Sequence, residues 1–259
     1  MYKHERLQRI LELVQSNQFW ATKDLAEKLD VSQATIYRDL KDLEDSKGFL
    51  RAYGGIASLP QATFLPSEGL EIHQRETSHL DEKLLIAEKA VALVKDGDTL
   101  FVDGSTTCVK FGEALLKSNK SNLTIITNSP RLVLLLGSSR GFHVICTGGT
   151  YLDHFDSLVG MPAEEFLANV TAEKLFFSVA GIADIGGTDT EQSEVKIKQL
   201  MINHSKYHIL LVDHTKFNKF CTYLVIPPSK VSTLITDYQT GAEHEEALAP
   251  FVENNTAIL

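Results

Sequence analysis

From residue 99 onward the chain alternates short β-branched and aromatic runs with stretches long enough to be helices, and this alternation constrains the fold more than any other feature. The runs are Thr99–Val102, Leu123–Thr127, Phe142–Cys146, Lys174–Val179, His208–Val212 and Thr233–Thr236, with helix-length stretches at 82–94, 106–116 and 191–204 among them. Strands separated by crossover helices pair in parallel, and a parallel sheet is covered on both faces, so the expectation is a doubly wound α/β domain. Ligands of such sheets bind beyond the carboxyl ends of the strands. Here those ends read Asp103-Gly104-Ser105-Thr106-Thr107, Thr127-Asn128-Ser129, Thr147-Gly148-Gly149, Ala180-Gly181 and Asp213-His214-Thr215-Lys216. Each string alone suits an ordinary turn or helix cap. Their recurrence at successive strand ends points to one shared pocket, and hydroxyls beside first-turn amides suit a phosphate monoester. The candidate ligand contacts are therefore Asp103, Gly104, Ser105, Thr106, Thr107, Asn128, Gly148, Gly149, Gly181, Asp213 and Lys216, with Lys216 the favoured cation. Glu194 and Lys198, at i and i+4 on the helix expected over 191–204, fit either a surface ion pair or ligand contacts.

The first 58 residues have a different grammar. Leu7, Ile10, Leu11 and Val14 share one face of a helix over residues 4–16. A second helix, with Thr22 expected as its N-cap, buries Leu25, Ala26 and Leu29. After the Asp30-Val31 turn, Ser32 is the next cap, and Ile36, Leu40 and Leu43 mark the inner face of a third helix. Gln33, Ala34, Thr35, Tyr37, Arg38 and Lys41 are left on its other faces, a set that suits a major groove. Gly48 to Ala57 follow as two β-like runs around Arg51 and Tyr53, as a wing would. The candidate DNA contacts are Ser32, Gln33, Ala34, Thr35, Tyr37, Arg38, Lys41, Arg51 and Tyr53. Residues 59–81 hold Pro60, Pro66 and Gly69 with little helical periodicity and read as a partly extended linker. The expected organisation is a winged helix-turn-helix at 1–58, a linker at 59–81 and an α/β domain at 82–259.

Charge is divided unevenly between these parts. The net charge is −9, yet residues 1–58 hold nine basic and nine acidic side chains, so the deficit belongs wholly to the remainder. A neutral DNA-binding unit gains little from counterion release and relies on local charge placement and on dimerisation. The amino-terminal residues are charged, and no run approaches the roughly 18 apolar residues of a membrane span, which implies a cytoplasmic protein with no membrane partner. Cys108, Cys146 and Cys221 form no C-x-x-C pair and read as buried, reduced thiols. The nine histidines show neither an H-E-x-x-H run nor clustering with cysteine, so the sequence calls for no metal and no cofactor.

In order and spacing, Leu25-Ala26, Val31-Ser32, Thr35 to Leu40, Leu43-Glu44 and the Gly48 to Gly55 wing resemble the amino-terminal signature of the DeoR family of bacterial regulators. Val102 to Thr107, Thr127 to Ser129, Thr147 to Gly149, Val159-Gly160, Ala180 to Ile182, Glu194 with Lys198 to Ile202, Val212 to Phe217 and Leu234 to Asp237 resemble that family's sensor domain, similar in fold to ribose-5-phosphate isomerase. Arg75 and Lys83 keep the family spacing, whereas Tyr37, His79 and Gln199 replace arginine, asparagine and arginine. The resemblance implies a homo-oligomeric repressor of carbohydrate-metabolism genes whose grip on double-stranded operator DNA is altered by a phosphorylated sugar or related metabolite. Two other functions are weighed against it. One is a sugar-phosphate isomerase-like enzyme using Asp103, Asp184 or Glu194 as base; the other is a scaffold using the three-helix unit for protein contacts.

Overall fold

The six β-rich runs become six strands of one seven-stranded sheet: β5 (Thr99–Val102), β6 (Leu123–Thr127), β7 (Phe142–Cys146), β10 (Ala172–Phe177), β13 (Ser205–Leu211) and β16 (Thr233–Ile235). The short β17 (Ala257–Ile258) adds an edge that the sequence did not suggest. Sheet order is β17-β16-β13-β10-β5-β6-β7, and every pairing is parallel. The structure is a computed structural model that describes residues 3, 6–7, 9–10, 13, 19–42, 49–52, 55–58, 63–64, 72–237 and 245–259. It comprises two compact units, Met1–Gln61 and Ala62–Leu259.

Both faces of the sheet are covered, as the unbroken apolar strands require. β5 sends Leu100 and Val102 into one core and Phe101 into the other; β10 sends Phe176 into the first and Leu175 and Phe177 into the second. Helices α4 (Leu80–Val91), α5 (Thr106–Lys117) and α6 (Pro130–Leu136) close the first face. The second is closed by α7 (Met161–Leu167), α8 (Gln192–Asn203) and α9 (Glu245–Glu253). Phe111 of α5 stacks on Phe176 with ring centroids 4.4 Å apart. At the amino end of β5, Lys174 Nζ meets Asp98 Oδ2 at 2.5 Å. Burial pushes the Asp98 carboxyl up, but hydrogen bonds from Lys174 and the Lys95 amide outweigh it and hold the pKa below the ordinary value.

Smaller elements decorate the carboxyl ends of the strands. These are the hairpin of β8 (Thr150–Leu152) and β9 (Ser157–Val159), and an antiparallel sheet of β11 (Gly181–Ala183), β12 (Gly186–Asp189) and β15 (Tyr223–Ile226). β14 (Lys219–Phe220) pairs in parallel with β4 (Thr63–Phe64). The stretch expected as a linker is partly structured: α3 (Ile72–Thr77) lies inside it, and α4 begins at Leu80. A six-residue helix is too short to display periodicity, and its buried Ile72 is the single apolar anchor within it. Cys108 and Cys221 are buried, but Cys146 is exposed at the end of β7, the sheet's edge strand, two of whose five side chains are exposed.

In the amino-terminal unit, residues 3, 6–7, 9–10 and 13 are helical and Ile10 is buried. A strand missed by sequence reasoning, β1 (Phe19–Ala21), joins β2 (Phe49–Ala52) and β3 (Gly55–Ser58) in an antiparallel sheet of order β1-β3-β2. Because β1 runs straight into α1 (Thr22–Lys28), Thr22 is the first helical residue and extended Ala21 precedes it, so Thr22 is not the cap. α2 (Gln33–Asp42) buries Ile36 and Leu40 against Leu25 and Ala26. Arg6 grips Asp39 in a two-pronged ion pair, Nε to Oδ2 at 2.5 Å and a second guanidinium nitrogen to Oδ1 at 3.1 Å. Among the described residues no helix is long and apolar enough to cross a membrane.

The Phe176 position tests this layering. Phe176→Ala should lower the unfolding free energy of the α/β unit by about 3–5 kcal/mol in chemical denaturation, since it empties a filled space between β10 and α5.

Candidate functional site

Sheet order reverses at β5: the chain leaves it toward β6 and β7, then returns to lay β10 on its other side. A crevice must open there, where successive crossovers depart in opposite directions. The structure has a cavity of about 510 Å³ at this place. Its floor is the turn after β5, Gly104 to Thr107, and the turn after β10, Ser178 to Ala180. Its other walls are Arg75, Ser78, His79 and Lys83 around α3 and α4, Phe155, Asp189 at the end of β12 and Thr190 beyond it, Glu194 and Lys198 on α8, and Thr215, Lys216 and Lys219.

A buried charge cluster builds the floor. Asp103 is fully buried, and its Oδ1 accepts from the Ser105 amide at 3.1 Å and the Ser105 hydroxyl at 2.6 Å. Its Oδ2 accepts from the Ser178 amide at 3.2 Å and lies 3.5 Å from Lys198 Nζ. Lys198 also donates to the Ser178 carbonyl at 2.9 Å and to Asp189 Oδ2 at 2.6 Å. Burial lowers the pKa of Lys198, but Asp189, Asp103 and Glu194 together outweigh it and hold the pKa above the ordinary lysine value, so it stays cationic. Glu194 and Lys198 are both buried, which overturns the surface ion-pair reading. Glu194 accepts a hydrogen bond from the Ser157 hydroxyl. Burial raises its pKa to about 7 against the pull of Lys198 and that hydrogen bond.

The cavity's remaining polar groups suit an anion. Thr106 and Thr107 open α5 with their side chains buried against the cavity and their amides in the first turn, where no intrahelical acceptor exists. The Ser105 side chain is occupied as the cap, accepting from the Cys108 amide at 3.3 Å. Facing this turn are Lys216, whose pKa burial lowers, and Lys83, lowered to about 8 chiefly by burial. Lys83 Nζ donates to the Ser78 carbonyl at 2.6 Å and to the Arg75 carbonyl, so it ties down the chain between α3 and α4. Arg75 in turn lies over the Phe155 ring, 5.2 Å from its centroid.

Of the residues singled out in the sequence, Gly104, Ser105, Thr106, Thr107, Glu194, Lys198 and Lys216 line the cavity together. Three more stand behind the wall. Asp103 holds the floor. Asp213 Oδ1 accepts from the Thr215 amide at 3.0 Å and so shapes the turn that presents Thr215 and Lys216. Gly181 clears the way for β14, because a Cβ there would lie 2.5 Å from the Lys219 carbonyl oxygen. Asn128, Gly148 and Gly149 are outside the lining. Asn128 bonds to the backbone of Leu158, and the two glycines make the turn into β8 with φ of +69° and +123°. Arg75, Ser78, His79, Lys83, Phe155, Asp189, Thr190 and Lys219 were not found from the sequence. Only the family spacing of Arg75 and Lys83 pointed toward any of them.

In the other unit, Gln33, Ala34, Tyr37 and Arg38 lie on the exposed side of α2, opposite Ile36 and Leu40. The Ser32 hydroxyl caps that helix, accepting from the Thr35 amide at 3.2 Å, and Thr35 is half-buried. The side chains of Lys41 and Arg51, and Tyr53 altogether, lie outside the described residues.

A helix-turn-helix with a small β-sheet, joined in one chain to an α/β unit with an anion-suited cavity at its switch point, defines a DNA-binding regulator that carries its own sensor. Residues 6–62 match the DeoR-like helix-turn-helix domain and residues 78–238 the DeoR C terminal sensor domain. The chain belongs to the DeoR family and is a DNA-binding transcriptional repressor. It is 30% identical to the lactose phosphotransferase system repressor of Lactococcus lactis subsp. lactis over 97% of each chain. It is 31% identical to the glycerol-3-phosphate regulon repressor of Escherichia coli (strain K12) over 92% of each. Ribose 5-phosphate isomerase from Methanocaldococcus jannaschii aligns with 54% of this chain and 55% of its own at 16% identity and a TM-score of 0.41. The fold assignment rests on the strand order itself.

Glu194 gives the site a signature in pH. Its folded-state pKa of about 7 exceeds the ordinary 4.5, so folding takes up a proton, and stability rises as pH falls from above 7 toward 4.5. Glu194→Gln should remove most of that rise and stabilise the protein at pH 8 by on the order of 1–3 kcal/mol. Urea denaturation of both forms at pH 8 and pH 6 measures it; an unchanged pH dependence in the variant would show that Glu194 is not the group responsible.

Proposed function

We propose that the chain represses genes of carbohydrate metabolism, binding paired operator half-sites as a homo-oligomer, and that a phosphorylated sugar or related intermediate in the cavity changes its affinity for DNA. The observation that carries the effector reading is the meeting of the α5 amino-terminal turn with Lys83 and Lys216 across a cavity of about 510 Å³. The turn offers amides and threonine hydroxyls to phosphate oxygens, and the lysines neutralise its charge. Arg75 and Lys219 widen the positive wall, while Glu194 and Asp189 supply acceptors for sugar hydroxyls. The names of the relatives, repressors of a lactose phosphotransferase system and of a glycerol-3-phosphate regulon, support the same chemistry. A ligand can shift the repressor between DNA-competent and incompetent states only by its differential affinity for them.

On the DNA side, the reading assigns base-edge contacts to Gln33, Ala34, Tyr37 and Arg38, phosphate contacts to Ser32, Thr35 and Lys41, and backbone contacts to Arg51 and Tyr53 of the wing. An isomerase function is not favoured. Asp103 is held by Ser105, Ser178 and Lys198, and Asp184 is outside the cavity lining, so of the three candidate bases Glu194 alone faces the cavity. The relatives matched over nearly the whole chain are repressors.

Fluorescence anisotropy with DNA from upstream of the chain's own gene tests both halves. Arg38→Ala should weaken specific binding by about 1–3 kcal/mol and leave folding intact. Lys216→Ala and Thr106→Ala should retain parental DNA affinity and lose most of the response to a panel of sugar phosphates. Equal loss of both activities in a folded variant would contradict this division of labour.

A further inference from the structure

We infer that His79, Glu82 and His214 form a binding site for a divalent transition-metal cation of the zinc class at the rim of the cavity. Among the described residues they are the one group of three in which a donor atom from each lies within 4.8 Å of the others. Glu82 stands in the first turn of α4, three residues after His79, which brings His79 Nδ1 to 3.6 Å from Glu82 Oε1. His214 arrives from the turn after β13, and its ring meets that of His79 edge to face with centroids 5.6 Å apart. Two imidazoles and a carboxylate are a borderline donor set that suits zinc and its neighbours rather than magnesium or calcium.

A second observation is independent of the cluster's composition. Asp237 clamps His214 twice: Oδ1 accepts from the His214 backbone amide at 2.7 Å, and Oδ2 lies 2.7 Å from Nδ1 of the ring. A carboxylate on Nδ1 keeps the proton there and presents the Nε2 lone pair, the arrangement that fixes metal-binding histidines in one tautomer and orientation. Asp237 thus acts as a positioning residue. Three protein donors leave the fourth tetrahedral position open to water or to an anionic oxygen. His79 and Thr215, the residue that follows His214, both line the cavity, so that open position belongs to its rim. The site extends beyond the effector reading and does not depend on it, because the metal alone is the probe.

The test uses the full chain carrying Cys146→Ser, which removes the exposed thiol as a competing zinc ligand. Zn²⁺ is titrated against a chromogenic chelator, and Co²⁺ reports geometry by visible absorption. One equivalent should bind with micromolar or tighter affinity, and Co²⁺ should give the intense bands of a four-coordinate site. His79→Ala and His214→Ala should each weaken binding at least tenfold, Glu82→Gln likewise, and Asp237→Asn by about 10- to 100-fold. His154→Ala, at a histidine outside the group of three and with 70% of its side chain exposed, should leave binding unchanged. Absence of a stoichiometric site, or equal affinity in the parent and in folded His79→Ala and His214→Ala proteins, overturns the proposal. Circular dichroism establishes folding, and should one histidine variant fail to fold, the affinity of the other decides the matter.

Discussion

The α/β unit depends on the grip that Asp103, Lys198 and Asp189 have on one another at the switch point. β5 and β10 are neighbours in the sheet but far apart along the chain, and their carboxyl ends would otherwise diverge into unrelated loops. Asp103 fastens the turn after β5 to the amide of Ser178, and Lys198 fastens the carbonyl of the same residue to the end of β12. A buried charge is tolerable only when its partners are complete, and removing one member would leave the others costly to bury. The floor of the cavity is accordingly stiff, and α5 enters from it at a fixed angle. Lys216 and Lys83, by contrast, reach the cavity with pKa values lowered by burial, so an incoming anion would relieve a cost they already bear.

How much of this could be seen in the residues follows from the range of the interactions. Strand runs and the α5 cap are local patterns, and period and turn chemistry were enough to place β5, β6, β7, β10, β13 and β16 and the Gly104 to Thr107 turn. The fate of Asp103 was not local: its contacts with Ser178 and Lys198 span 75 residues or more, and nothing near Asp103 distinguishes a buried clamp from a ligand contact. For Lys198 the residues left a surface ion pair open beside ligand contact for a related reason, since an i, i+4 carboxylate is its sequence neighbour whereas Asp189 and Asp103 are its partners in space. Asn128, Gly148 and Gly149 are the converse case, standing outside the lining of this cavity. They are polar or glycine at strand ends because the turns require it, and the cavity lies elsewhere. The wall around Arg75, Ser78 and Lys83 was hidden because α3 is barely more than one turn long and a lysine rarely announces that it will be buried.

The two units divide their chemistry as sharply as their sequences do. The amino-terminal unit is electroneutral, and the Arg6–Asp39 ion pair holds its recognition helix beneath an exposed row that includes Gln33 and Arg38. The second unit carries the whole negative excess of the chain and yet gathers lysines and an arginine at one end of its sheet. A surface that is acidic overall with a basic recess favours small anions over extended polyanions.

The cavity's walls also matter as a matter of chain connectivity. They come from residues near 75–83, 104–107, 155, 178–198 and 215–219, segments separated by long loops of polypeptide. A molecule that touches all of them is a removable cross-link: it closes several loops at once and holds the domain to its folded state in proportion to its occupancy. Occupancy by such a molecule would be written into the cooperativity of the entire domain rather than into the stiffness of a single loop, and a change in its concentration would become a change in how often any part of the domain opens.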